Sequence, residues 1–350
     1  MAFNLEKLLR PHISSIKPYS SARDEYSGKA GIFLDANENP FGSMATGNHN
    51  RYPDPYQHDI KEKLSTVKQI PANQIFLGNG SDEAIDLLMR AFCSPGIDNI
   101  IILPPTYGMY EVSAGINDIA IKRVNLSDSY QLKPQEIISE VNDNTKIIFI
   151  CSPNNPSGNK LNRRDIYQIL TQFEGIVVVD EAYIDFSDEP SFIEELKNYP
   201  NLLVMQTFSK AWGLASLRIG MAFASVDIIK ILNLIKPPYN ISGLTQEKVL
   251  EALDNAADIK DIVTNILKER EFLENELVKL PFVKKIFPSH SNFILIKVTE
   301  AKKIYEYLIE QTIIIRDRSK VTLCEDCLRI SVGTRSENDA LLLALKQYQA

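Results

Sequence analysis

Five short runs, nearly all apolar and rich in β-branched residues, recur along the chain at 99–103, 146–151, 176–180, 202–206 and 219–224. A strand with one wet face alternates apolar and polar residues. Runs without that alternation predict strands covered on both faces, as in a largely parallel sheet. Helical patterns lie between them. After Ser81, a good N-cap, Ile85, Leu88, Met89 and Phe92 repeat at helical spacing, with Asp82 and Glu83 in the first turn. Strands alternating with helices predict an α/β fold: a mostly parallel sheet flanked by helices.

At 350 residues the chain exceeds one simple core, and two domains are expected. From 245 to 280 the pattern changes to a long charged helical stretch, broken near 254–257. The tail then reads as a strand at 292–298, a helix at 301–311, strands near 313–316 and 324–332, and a final helix from Glu337. The expected division is an arm over 1–30, a large domain over 31–244 and a smaller α+β domain over 245–350. The arm is expected to pack on the small domain or on a partner subunit.

The net charge of −7 is spread without a long acidic or basic block, which argues against nucleic acid as a partner. No apolar stretch approaches bilayer length, and residues 1–10 lack the apolar core of a signal peptide. A soluble cytoplasmic protein with no membrane partner is expected. Cys93 and Cys151 sit in apolar runs and read as small buried hydrophobes. Cys324 and Cys327 form a lone C-x-x-C with no second pair, so no metal is expected.

Chemistry gathers around Lys210, which follows the run at 202–206 and lies between Phe208 and Trp212. Desolvation disfavours the ammonium and lowers its pKa, and a neutral lysine is a nucleophile toward aldehydes. The plain alternative is a lysine that snorkels to water. Asp180 stands thirty residues earlier, at the end of the preceding strand. Ligands of open α/β sheets bind at the carboxyl ends of strands, so both groups reach one crevice. A pyridoxal phosphate enzyme needs this pair: an amine to bond the aldehyde and an acid to keep the pyridine nitrogen protonated. Lys210 is also placed to carry the substrate's α-proton.

Other residues fit the same cofactor, each with an ordinary alternative beside it. The turn Gly78-Asn79-Gly80-Ser81 opens a helix whose N–H groups can receive a phosphate, or simply caps it. Glu83 stands where a dinucleotide fingerprint needs glycine, and the chain's only Gly-Lys pair, Gly28-Lys29, lacks the rest of a P-loop. Asn155 could donate to the ring's 3′ oxygen or be a turn residue. Tyr107 could stack on the ring or pack in a core, and Arg218 could grip phosphate or pair on the surface.

Together these residues resemble the histidinol-phosphate aminotransferases, pyridoxal phosphate enzymes of the aspartate aminotransferase fold. The likeness is collinear: Asp35-Ala36-Asn37-Glu38-Asn39-Pro40, Arg51-Tyr52-Pro53, LGNGSDE from 77, PPTYGMY from 104, SPNNPSGN from 152, VVDEAYIDF from 178, TFSKAWGLASLRIG from 207 and CLRISVGTR from 327. The resemblance implies that Lys210 bonds the cofactor and Asp180 pairs with its ring nitrogen. It implies Asn155 and Tyr183 at the 3′ oxygen, and Gly80, Ser81, Asp82, Ser209 and Arg218 at the phosphate. Tyr52 would come from the neighbouring subunit of a homodimer. Arg329 would receive the substrate's anionic end, with Arg316, Tyr19 and Asn37 lining that pocket. The substrates implied are histidinol phosphate and glutamate or 2-oxoglutarate. An aromatic aminotransferase, an amino-acid phosphate decarboxylase and a non-catalytic pyridoxal-binding module remain alternatives.

Overall fold

The five apolar runs become neighbours in one seven-stranded sheet, joined by two strands that the apolar criterion passed over. The computed structural model describes residues 3–17 and 32–348. In chain order the strands are β1 (Ile75–Asn79), β2 (Asn99–Ile102), β3 (Ala120–Arg123), β4 (Thr145–Cys151), β5 (Ile176–Asp180), β6 (Leu202–Thr207) and β7 (Ile219–Ala224). Across the sheet they run β1-β7-β6-β5-β4-β2-β3. From β3 to β6 all neighbours are parallel, and β7 alone runs against its neighbours β1 and β6.

Both faces are buried, as the missing alternation predicts. Val177 and Val179 of β5, with Leu202 and Val204 of β6, enter one core; Ile176, Val178, Leu203 and Met205 enter the other. Each of these side chains is fully buried, contributing on the order of 1.5–3 kcal/mol over exposure. β3 escaped notice because Ala120–Arg123 is an edge strand with two charged residues and no buried position. β1 is buried over its first four residues but ends in Gly78-Asn79, which reads as a turn.

Helix Ser81–Phe92 corrects one expectation: its N-cap is Gly80, and Ser81 is already helical. Gly80 takes φ +72°, a conformation costly for serine, and makes no side-chain cap. The first-turn N–H groups are therefore left without a capping side chain.

Four antiparallel strands form the second sheet, in the order β10-β11-β9-β8: β8 (Val283–Ile286), β9 (Phe293–Val298), β10 (Arg316–Asp317) and β11 (Cys327–Ser331). Ile294, Ile296, Leu328 and Ile330 point into a small core shared with helices Ala301–Glu310 and Arg335–Gln347. The last helix begins at Arg335, not Glu337, because Thr334 caps it and Glu337 closes a reciprocal capping box. The break near 254–257 separates helix Gly243–Asp254 from helix Ile259–Leu277. Of the expected arm, the Arg10 N–H bonds the Ala91 carbonyl and Leu5 and Leu8 pack on the large sheet's helix layer, not on the small sheet. Among the described residues no helix is long and apolar enough to cross a membrane.

Candidate active site

Parallel strands deliver their carboxyl ends to one edge of a sheet, and here that edge carries the chemistry. β1 leads into Gly80 and Ser81, β4 into Asn155, β5 ends on Asp180 and β6 leads into Ser209 and Lys210. Antiparallel β7 starts at the same edge, so Arg218 joins them. Gly80, Ser81, Asp82, Tyr107, Asn155, Asp180, Tyr183, Ser209, Lys210 and Arg218 all line a single cavity of about 160 Å³.

Asp180 is the buried acid of this cavity, 2 % exposed. Burial pushes its carboxyl up to about 6, against the pull of two hydrogen bonds. Tyr110 Oη donates to Oδ2 at 2.6 Å, and the Ala182 N–H donates to Oδ1 at 3.1 Å. Among the described residues no cation pairs with it directly. Lys210 is half-buried, its Nζ 5.6 Å from the Tyr183 ring centroid. Burial lowers its pKa and the positive charge of Arg329 lowers it further, so the amine is biased toward its neutral form.

At one end of the cavity, backbone and guanidinium form a cradle. The Gly80 N–H donates to the Arg218 carbonyl at 2.9 Å, and a Cβ on Gly80 would lie 2.8 Å from Arg218 Nη2. The two acids beside it are accounted for. Glu83 turns back to accept from Asn240 Nδ2 at 3.0 Å; Asp82 accepts from Tyr107 Oη at 3.1 Å and lies 3.7 Å from Arg218. At the opposite side Asn155 Oδ1 accepts from Arg329 Nη1 at 2.6 Å, and Asn155 Nδ2 faces Tyr183 Oη at 3.4 Å. The small sheet thereby reaches the cavity, with Arg329 over the Phe293 ring.

Four other predicted residues stand apart. Asn37 and Tyr52 line a separate open cavity, where Tyr52 stacks on Tyr239 at 4.6 Å between ring centroids. Arg316 is exposed on β10, directly opposite Arg329. Tyr19 lies outside the described residues. Sequence reasoning missed Tyr110, three residues after Tyr107 and fully buried against Asp180. It also missed Cys151, Ala182, Thr207 and Ala215, which complete the lining.

Fold, buried acid, desolvated amine and the glycine turn beside Arg218 together define a class of enzyme. The chain belongs to the aminotransferase class I and II family, whose sequence model matches residues 32–345. It is 58% identical over 348 residues to histidinol-phosphate aminotransferase of Cytophaga hutchinsonii, covering 99% of this chain and 100% of that one. It also resembles the crystal structure of the histidinol-phosphate aminotransferase from Clostridium acetobutylicum, with TM-score 0.78, 26% identity, and 85% and 90% of the two chains covered. The fold is shared with histidinol-phosphate aminotransferase from Sinorhizobium meliloti in complex with pyridoxal-5′-phosphate (TM-score 0.79, 22% identity, 89% and 88% covered). The cofactor of this family is pyridoxal 5′-phosphate. The residues present fit it: a desolvated carboxylate with no directly paired cation among the described residues suits a protonated ring nitrogen, and the Gly80 turn, too close to Arg218 for a Cβ, suits a phosphate.

Proposed function

We propose that this chain transfers an amino group between L-histidinol phosphate and 2-oxoglutarate, giving imidazole acetol phosphate and L-glutamate, in L-histidine biosynthesis. The observation that carries it is one cavity joining a desolvated Lys210, a buried Asp180 and, through Asn155, the Arg329 guanidinium. The full-length likeness to a histidinol-phosphate aminotransferase supports the substrate.

Pyridoxal phosphate, when bound, supplies the aldehyde that carries the amino group and a ring that accepts the electrons released at the substrate's α-carbon. Lys210 Nζ, biased toward its neutral form by burial, would bond that aldehyde at rest and accept and return the α-proton during turnover. Asp180 would hold the ring nitrogen protonated, with Tyr110 fixing the carboxylate's orientation. Asn155 and Tyr183 would hold the 3′ oxygen, and Gly80, Ser81, Asp82, Ser209 and Arg218 the phosphate. Tyr107 would pack against the ring. Arg329 would take the substrate's anionic end, with Arg316, Asn37 and Tyr19 around it. One guanidinium can serve both a phosphate and a carboxylate, which two half-reactions require.

The reading includes a cytoplasmic homodimer in which Tyr52 crosses to the partner's cavity, and a division into large and small domains near residue 244. Two measurements test it. Borohydride reduction and peptide mapping should place a pyridoxyl group on Lys210. Steady-state kinetics should show a higher kcat/KM for histidinol phosphate than for phenylalanine or threonine phosphate; preference for either of those would overturn the substrate.

A further inference from the structure

Arg318 has no role in the reading above, yet it lies on the face of the small sheet that reaches the cavity through Arg329 and Asn155. In the antiparallel β10–β11 pair Arg316 stands opposite Arg329, and the Arg318 N–H extends the ladder to the Cys327 carbonyl at 2.9 Å. Residues two apart on a strand share a face, as do directly paired residues across a ladder. Arg316, Arg318, Arg329 and Cys327 therefore project from one side. Leu328 and Ile330 fill the small core on the other side, whereas Cys327 and Leu295 on the near side pack into the large core. The arginine-bearing side thus faces the large domain across the crevice holding Lys210.

Three guanidiniums share this face, and among the described residues none has a carboxylate partner. Arg318 and Arg329 are half-buried, and the Nε of each is buried without a hydrogen-bond acceptor. Their charges oppose one another, and both act on Tyr183, which lines the cavity. Like charges held partly out of water, with unused donors, call for an anion between them. A carboxylate is satisfied by one bidentate guanidinium, whereas a phosphate dianion brings about twice the charge and three acceptor oxygens.

We propose that Arg318 is a specificity residue, a third guanidinium that with Arg316 and Arg329 tunes this site to a substrate ending in a phosphate dianion rather than a carboxylate. The inference rests on the substrate reading above and extends it. Both half-reactions use the site, so loss of Arg318 weakens the phosphate substrate more than glutamate.

The test compares Arg318→Gln with Arg318→Lys in holoenzyme whose cofactor absorbance matches the wild type. The readouts are kcat/KM for histidinol phosphate and for glutamate, and inhibition by inorganic phosphate. With Arg318→Gln the ratio of kcat/KM values falls about tenfold, the loss of one charged hydrogen bond. The inhibition constant for inorganic phosphate rises in parallel. Arg318→Lys keeps the charge without the fork and recovers part of the loss. Equal losses on both substrates, or an unchanged inhibition constant, overturn the inference while leaving the substrate reading intact. A wild-type enzyme that does not favour histidinol phosphate overturns both.

Discussion

Asp180 shows what a buried carboxyl costs the fold that carries it. Its carboxyl titrates near 6 in the folded chain, above the ordinary 3.8, because it is desolvated. Between those values the native state binds more protons than the unfolded one, so stability falls as pH rises from about 4 to 6. The full effect at neutral pH is on the order of 3 kcal/mol for a shift of this size. Urea unfolding of the cofactor-free protein should therefore show a shallower loss of stability across that pH window in Asp180→Asn than in wild type. An identical pH slope in the two proteins would show that the burial is not felt. The same variant, loaded with cofactor, should lose most of its turnover. Lys210 and Asp180 were both legible in the sequence because each is a charged residue at the end of an apolar run. Tyr110 was not, since a tyrosine inside a helix reads as packing until its hydroxyl is seen 2.6 Å from Asp180.

At the level of elements, the cradle depends on close approach between β7 and the turn after β1. Gly220 stands opposite Gly78 in that antiparallel pair, and a Cβ on it would lie 2.2 Å from the Ser81 nitrogen. Gly220→Ala must displace the Gly80-Ser81 turn, at a cost of about 1–3 kcal/mol in stability. Cofactor affinity, followed by absorbance titration, should fall about tenfold if the lost stabilisation is of that size. Unchanged affinity would mean the turn does not hold the phosphate. The glycine-rich turn was visible in the sequence, but Gly220 was not, because nothing local marks a strand glycine that a distant backbone touches. Strand assignment followed the same rule. Runs buried on both faces announce themselves, whereas the edge strand β3 carries only Ala120, Ile121, Lys122 and Arg123. Placement of the N-cap at Gly80 also depended on backbone conformation, which Ser81's composition cannot reveal.

At the scale of the whole molecule, Tyr52 and Asn37 lie in a cavity apart from Lys210. In a twofold dimer that cavity can sit over the partner's active site. Mixing Tyr52→Ala and Lys210→Ala subunits, each impaired alone, should restore roughly a quarter of wild-type activity, since half of the dimers are then mixed and carry one intact site. No recovery on mixing would place Tyr52's effect within its own chain. The sequence by itself determined the α/β class, the acid and the amine, and the order of the motifs, because burial of apolar strands and the chemistry of a desolvated lysine are local properties. Tertiary structure alone decided which residues share a cavity. It set Tyr110 against Asp180 and brought Arg329 across to Asn155, because those contacts join residues as many as 174 positions apart. Only the pairing of strands and the packing of two sheets bring such positions within a hydrogen bond's reach.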